Sequence, residues 1–176
     1  AHLRAQNRGQ YLIEPHAGQF QRLPEWMALH GTGLVESLGE DLIAFGEWCA
    51  ARHSLDYPAL PDWWLLFDVY DRREGRFWST RRREQFASTL GLSMVPRLAE
   101  GRQSVATLVD GVDRWKSRYR EGDLEGVVVR REDDNWLQAR GKLVRAEFTQ
   151  AIEGHWRTRK LEWNRVQWSD ARDFGD

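Results

Sequence analysis

Four short stretches of this chain place a charged or aromatic side chain in or beside an apolar strand pattern. Glu47 follows Gly46 near the end of LIAFGEW, so its carboxylate stands where a strand opens to solvent. By itself such a group reads as a solvated strand-end glutamate. Phe67 and Asp68 lie inside WWLLFDVYD, in a strand expected to be buried on both faces. Core packing accounts for the ring taken alone, while an acid in such a run needs a partner. Glu125 heads EGVVVR, and Lys142 lies 17 residues downstream in GKLVR, flanked by Arg140 and Arg145. A turn at Asp133–Asn135 lets the two stretches pair. A carboxylate and a cation on neighbouring strands form either a structural ion pair or a phosphate-and-metal site, and spacing alone leaves both open.

Several common chemistries are missing. There is no HExxH, no Walker-type glycine loop and no GxSxG. The five histidines, His2, His16, His30, His53 and His155, are scattered without metal-ligand spacing. One cysteine, Cys49, excludes an intramolecular disulfide framework and a multi-cysteine zinc site, suits a reducing cytoplasm, and reads as a buried small residue.

The elements that must position these residues follow from local pattern. Ala5–Gly9 has turn chemistry, with a short strand at Leu12–Ile13. Pro24 opens a helix expected to be interrupted near Gly31–Gly33. Leu42–Trp48 and Trp63–Asp71 read as strands, and Glu74-Gly75 turns the second into a hairpin. Arg81–Leu90 and Val105–Arg118 have helical spacing, with a short strand at Met94–Leu98 between them. Glu125–Arg130 and Trp136–Val144 read as paired strands, and Phe148–Trp168 as a helical tail. Strands and helices without regular βαβ alternation predict an α+β fold with antiparallel sheets.

The chain has 176 residues, 41% of them apolar and ten of them tryptophan, enough for one domain with an aromatic-rich core. The 26 basic and 27 acidic residues nearly cancel, which argues against a polycation coating nucleic acid or membrane. No apolar run approaches the ~18 residues of a membrane helix. Arg72, Arg73, Arg76 and Arg81–Arg83 cluster, as do Arg157, Arg159, Lys160 and Arg165; such groups either grip phosphates or form solvated faces.

Taken in order, GEWCAARHSLDYPALPDWWLLFDVYD, EGVVVR and GKLVRAEF resemble the ATP-dependent RNA ligase family, within the covalent nucleotidyltransferases that include DNA ligases and mRNA capping enzymes. QNRG (Gln6–Gly9) and EGHW (Glu153–Trp156) are similar to the family too, so the resemblance spans nearly the whole chain. It implies a nucleotidyltransferase fold, ATP-grasp-like, with antiparallel sheets flanking a nucleotide cleft. It implies that ATP supplies AMP, that Mg2+ or Mn2+ assists, and that the partner is RNA bearing 5′-phosphate and 3′-hydroxyl ends. By the same resemblance Arg8 lies near the nucleotide and RNA ends. Glu47 binds the ribose hydroxyl, Phe67 stacks on adenine, Glu125 holds the metal, and Lys142 meets the α-phosphate. The family often carries a second basic residue two positions after that lysine; here the position is Val144, with Arg145 next.

The family's nucleophile is a lysine in K-x-D-G, which carries AMP as a phosphoramidate. Only three lysines are present, Lys116, Lys142 and Lys160, and none is followed by x-D-G or x-E-G. Arginine cannot substitute, because its guanidinium stays protonated. The expectation is that the motif lies upstream in a longer parent, and that this chain does not adenylylate itself. The alternatives are a non-catalytic nucleotide- or RNA-binding module descended from a ligase, and a DNA ligase or capping-type transferase.

Overall fold

The alternation in LIAFGEW builds strand β3 (Leu42–Trp48), in which every second residue faces solvent. It pairs antiparallel with β4 (Trp64–Asp71), which turns at Glu74-Gly75 into the short β5 (Arg76–Phe77). The β3–β4 ladder is not regular. Its register steps from Phe45↔Asp68 to Gly46↔Leu66 and passes over Phe67, which is therefore the extra residue of a β-bulge. The bulge lets Leu66 and Val69, three residues apart, both reach one core and leaves Asp68 on the opposite face.

These coordinates come from a computed structural model that describes residues 2–52, 56–145 and 162–167. Before β3 come a small hairpin, β1 (Gln6–Asn7) and β2 (Gln10–Tyr11), and helix α1 (Leu23–Leu38). After β5 follow α2 (Thr80–Leu90), α3 (Val105–Arg114), and the antiparallel pair β6 (Gly126–Glu132) and β7 (Leu137–Val144). The expected α+β class with antiparallel sheets is what is observed. Among the described residues, no helix is long and apolar enough to cross a membrane.

The core lies between α1, α2 and the inner face of the β3–β4 sheet. Leu23, Trp26, Leu34 and Leu38 of α1 pack with Leu66, Val69, Trp78, Ala87 and Leu92. Trp26 lies 5.1 Å from Trp64 and 6.5 Å from Trp48, ring centre to ring centre, so indoles fill much of this layer. Gly46 is required there: a Cβ at this position would stand 2.1 Å from the Trp64 ring.

The second sheet is fastened to the first by one carboxylate. Asp68, 1% exposed, projects from the outer face of β4. Arg130 of β6 meets its Oδ1 at 2.7 Å, Arg140 of β7 meets its Oδ2 at 2.5 Å, and Arg83 of α2 stands 3.9 Å away. Arg83 also donates to the Phe67 carbonyl across the bulge. Arg130 donates further to Glu132 and to the Trp78 carbonyl, and Glu132 in turn accepts from the Thr80 N–H at 2.8 Å and its hydroxyl at 3.0 Å. Burial by itself would raise the Glu132 carboxyl, but the hydrogen bonds from Arg130 and Thr80 outweigh it and hold the group below the ordinary glutamate range.

Several boundaries differ from expectation for identifiable reasons. Helix α1 runs unbroken through Gly31 and Gly33, because burying the Trp26–Leu34–Leu38 stripe outweighs a glycine cost of about 1 kcal/mol each. The first strand pair closes at Gln10–Tyr11 rather than at Leu12–Ile13. The Met94–Leu98 stretch contributes a single bridge, Leu66↔Met94, flanked by Leu66 N–H to Ser93 and Val95 N–H to Leu66 bonds. Helix α3 ends at Arg114, since Trp115 takes an extended backbone. Most of the expected tail helix, with Trp156 and the EGHW stretch, lies outside the described residues. Its described part, residues 162–167, is not helical but bridges Ala51 and Leu60.

Two outcomes follow. Gly46→Ala should lower the unfolding free energy by about 1–3 kcal/mol through overpacking against Trp64, read as a fall in the urea midpoint. Because the folded Glu132 carboxyl is depressed, its contribution is complete above the ordinary glutamate value of 4.5 and is lost as pH falls through the lower folded value. Denaturation midpoints measured across this acid range should therefore drop for the native chain. Glu132→Gln should be less stable at neutral pH and lack that part of the acid dependence; an unchanged acid limb would refute the assignment.

Candidate functional site

Strand parity decides which side chains share a surface. On β3, Ile43, Phe45 and Glu47 occupy the face opposite α1, and Asp68 and Tyr70 are paired with Phe45 and Ile43. Phe77 joins them, its ring 5.8 Å from Phe45 and 4.9 Å from Tyr70. On the second sheet, Arg130↔Arg140, Val128↔Lys142 and Gly126↔Val144 are directly opposed pairs on one face. Since Arg130 and Arg140 of that face reach Asp68, the two faces look toward each other. Ile43, Phe45, Val128 and Val144 nevertheless remain 37–58% exposed, so these side chains are not buried against one another and the space between the two faces, called the groove below, is open to solvent.

Lys142 shares this groove face and is exposed; among the described residues it makes no ion pair. The structural ion pair, one of the two readings left open by spacing, is therefore not observed among the described residues. Glu125 is opposed to Arg145, not to Lys142, through the Arg145 N–H to Glu125 carbonyl bond of 3.1 Å. The expected pairing of strands is correct, but the Glu125–Lys142 ion pair is not formed. Arg140, half exposed, is held on the groove floor by Asp68 and lies 4.7 Å over the Phe77 ring.

Glu47 is exposed on the groove face of β3. Phe67 is half-buried in the bulge. Glu125 stands just before β6 and is exposed; the Tyr57 hydroxyl donates to its Oε1 at 3.4 Å. Burial, then the Glu125 charge, push the Tyr57 phenol up to about 12. Burial and the neighbouring Glu47 likewise raise the Cys49 thiol to about 12, so Cys49 stays a neutral thiol, as a structural residue would. The Asn164 amide joins the Cys49 carbonyl to the Tyr57 N–H, which brings the Glu125 end of the second sheet near the end of β3 that carries Glu47.

Two of the sequence-predicted residues stand apart. Arg8, with φ 44°, and Gly9, with φ 91°, form the two-residue turn of the β1–β2 hairpin, and Arg8 is exposed at its tip. No hydrogen bond or ion pair joins it to Glu47, Phe67, Glu125 or Lys142 among the described residues. Arg145 is largely buried and paired at 2.8 Å with Asp123, which Lys116 also contacts. The shallow hollow along the outer face of α1, lined by Met27, Gly31 and Val35, contains none of these residues.

Sequence reasoning missed Tyr57, Asn164 and the guanidinium cluster around Asp68. Only the last carried a signal, a buried acid in need of a partner. Among the described residues no group of three or more His, Cys, Asp or Glu could hold a metal ion. Glu125, the metal ligand that the resemblance implies, is an exposed carboxylate. One carboxylate completed by substrate phosphates and water is a set that suits Mg2+ or Mn2+ rather than a caged metal.

No curated protein and no solved structure matches the chain. The family described as RNA ligase matches residues 1–145, a span that contains both sheets, the groove between them, and Arg8, Glu47, Phe67, Glu125, Lys142 and Arg145. The chain therefore belongs to the RNA ligase family.

Proposed function

We propose that residues 1–176 are the adenylyltransferase domain of an ATP-dependent RNA ligase with a nucleotidyltransferase fold, and that the groove between the sheets takes the AMP moiety. The observation that supports this reading most is the shared groove: an exposed cation, Lys142, faces a wall carrying Glu47, in a chain of the RNA ligase family.

Each residue then has a physical task. Phe67, raised from the ladder by the bulge, offers a ring for the adenine to stack on. Glu47 accepts a hydrogen bond from a ribose hydroxyl. Lys142 neutralises charge on the α-phosphate, and such electrostatic stabilisation does most of the work in phosphoryl transfer. Glu125 would hold Mg2+ or Mn2+, which when bound withdraws charge from phosphate oxygens. Arg8, on its projecting hairpin, meets the RNA ends, and Arg145 braces the nucleotide side of β7 through Asp123. In the sealing step the 3′-hydroxyl oxygen bonds to the 5′-phosphorus, the bond to AMP breaks, the hydroxyl proton leaves, and AMP departs. None of this uses a lysine nucleophile, which the step before it requires and which none of the three lysines can supply in a K-x-D-G or K-x-E-G setting.

The lysine census also favours a second reading, a non-catalytic nucleotide- or RNA-binding module. A sealing assay with Mg2+ or Mn2+ separates the two. We expect the chain to join RNA whose 5′-phosphate already carries AMP, and to fail on 5′-phosphate RNA plus ATP. Sealing with ATP would overturn the missing-nucleophile argument. Inactivity of folded protein on both substrates would favour the binding module. Within the ligase reading, Lys142→Ala should slow sealing of pre-adenylylated RNA by about 100-fold while leaving the melting temperature in place.

A further inference from the structure

The segment Glu162–Gln167 lies outside the family-matched stretch yet is built into the groove's mouth. It threads between the backbone that follows β3 and the loop at residues 56–60. Ala51 bridges Trp163, and Leu60, 1% exposed, bridges Val166. The Arg52 N–H donates to the Glu162 carbonyl at 2.8 Å, and the two side chains pair at 2.9 Å. At its centre Asn164, 7% exposed, uses its whole amide. Its Nδ2 donates to the carbonyls of Cys49 at 2.8 Å and Ala51 at 3.3 Å, its Oδ1 accepts from the Tyr57 N–H at 3.0 Å, and its backbone N–H donates to Ala50 at 2.9 Å. The Arg165 N–H closes the other side of Tyr57 by donating to its carbonyl at 3.2 Å.

Both neighbours of this amide lead to the groove. Cys49 is two residues beyond Glu47. Tyr57 sends its hydroxyl to Glu125 at 3.4 Å. A buried amide with all its donors and acceptors placed fixes the backbone it touches, because any displacement strands polar atoms away from water. The backbone of Tyr57 is thus held from both sides, and the only freedom left is in the ring that carries the hydroxyl.

We propose that Tyr57 is a positioning residue for the Glu125 carboxylate and that Asn164 sets its place, making the Glu162–Gln167 segment part of the site. The proposal rests on the ligase reading, in which Glu125 serves the divalent cation. Groups that orient a metal-binding carboxylate typically matter 10–100-fold in affinity or activity. The donated hydrogen bond limits rotation of the carboxylate and leaves its second oxygen unengaged by Tyr57.

The test uses the full chain, Tyr57→Phe, Asn164→Ala and the double variant. Each is read three ways: thermal melting, Mn2+ binding in the presence of AMP followed by loss of the free-ion paramagnetic signal, and sealing of pre-adenylylated RNA across a Mn2+ titration. Tyr57→Phe keeps the ring and both backbone bonds, so its melting temperature should not move, while Mn2+ affinity and the half-saturating Mn2+ for sealing should worsen about tenfold. Asn164→Ala should melt earlier and show a similar Mn2+ defect, and the double variant should bind Mn2+ no worse than Asn164→Ala, since the two act along one path. Unchanged Mn2+ behaviour in Tyr57→Phe, or a loss in Asn164→Ala confined to melting, would overturn the proposal with the ligase reading intact. A native chain that is folded but neither binds Mn2+ with AMP nor seals would overturn the ligase reading and the proposal with it.

Discussion

A carboxylate with almost no access to water cannot stay charged without compensation, and the arrangement of this protein follows from how Asp68 obtains it. Three guanidiniums from three elements converge on it. Arg83 comes from α2, which also packs on the core face of β4, and Arg130 and Arg140 come from the two strands of the second sheet. Breaking a buried pair of this kind costs about 3–5 kcal/mol, because the remaining charges are left uncompensated. The cluster thus acts as a rivet between two sheets whose facing apolar residues stay partly exposed. A purely hydrophobic contact at the same place would have drawn the walls together.

The bulge at Phe67 is the second half of this arrangement. In a regular strand Asp68 and Val69 would still alternate, but Leu66 would then share a face with Asp68 rather than with Val69. One extra residue reverses that relation at mid-strand. The N-terminal half of β4 can then serve the α1 core with Leu66 while the C-terminal half serves the core with Val69 and the groove with Asp68. Arg83 stabilises the irregular backbone by donating to the Phe67 carbonyl, so the same arginine supports both the bulge and the carboxylate beside it.

Much of this was legible in the order of residues. The four long strands, the pairing of the last two, the hairpin turn, the starts of α2 and α3 and the α+β class all follow from apolar period and turn residues. The need of Asp68 for a partner was visible as an acid inside an apolar run, but the identity of the partners was not, because Arg130 and Arg140 are brought near only by tertiary folding. Register was not legible either: the observed pairing opposes Lys142 to Val128, three residues from Glu125, and leaves Glu125 opposite Arg145. Helix ends were misjudged where packing outweighed propensity, as at Gly31 and Gly33. The role of Asn164 had no local signature, since its partners lie more than a hundred positions away in the chain.

The aromatic residues are divided by the β3–β4 sheet in a way that has an optical consequence. Trp48 and Trp64 both lie within 6.5 Å of Trp26 on the α1 side, whereas the groove face presents Phe45, Tyr70 and Phe77. Light emitted by these three indoles therefore reports how α1 sits on the sheet and is nearly blind to what enters the groove. A change in their emission on adding nucleotide would mean that the occupant is felt through the strands themselves, across the thickness of a single sheet.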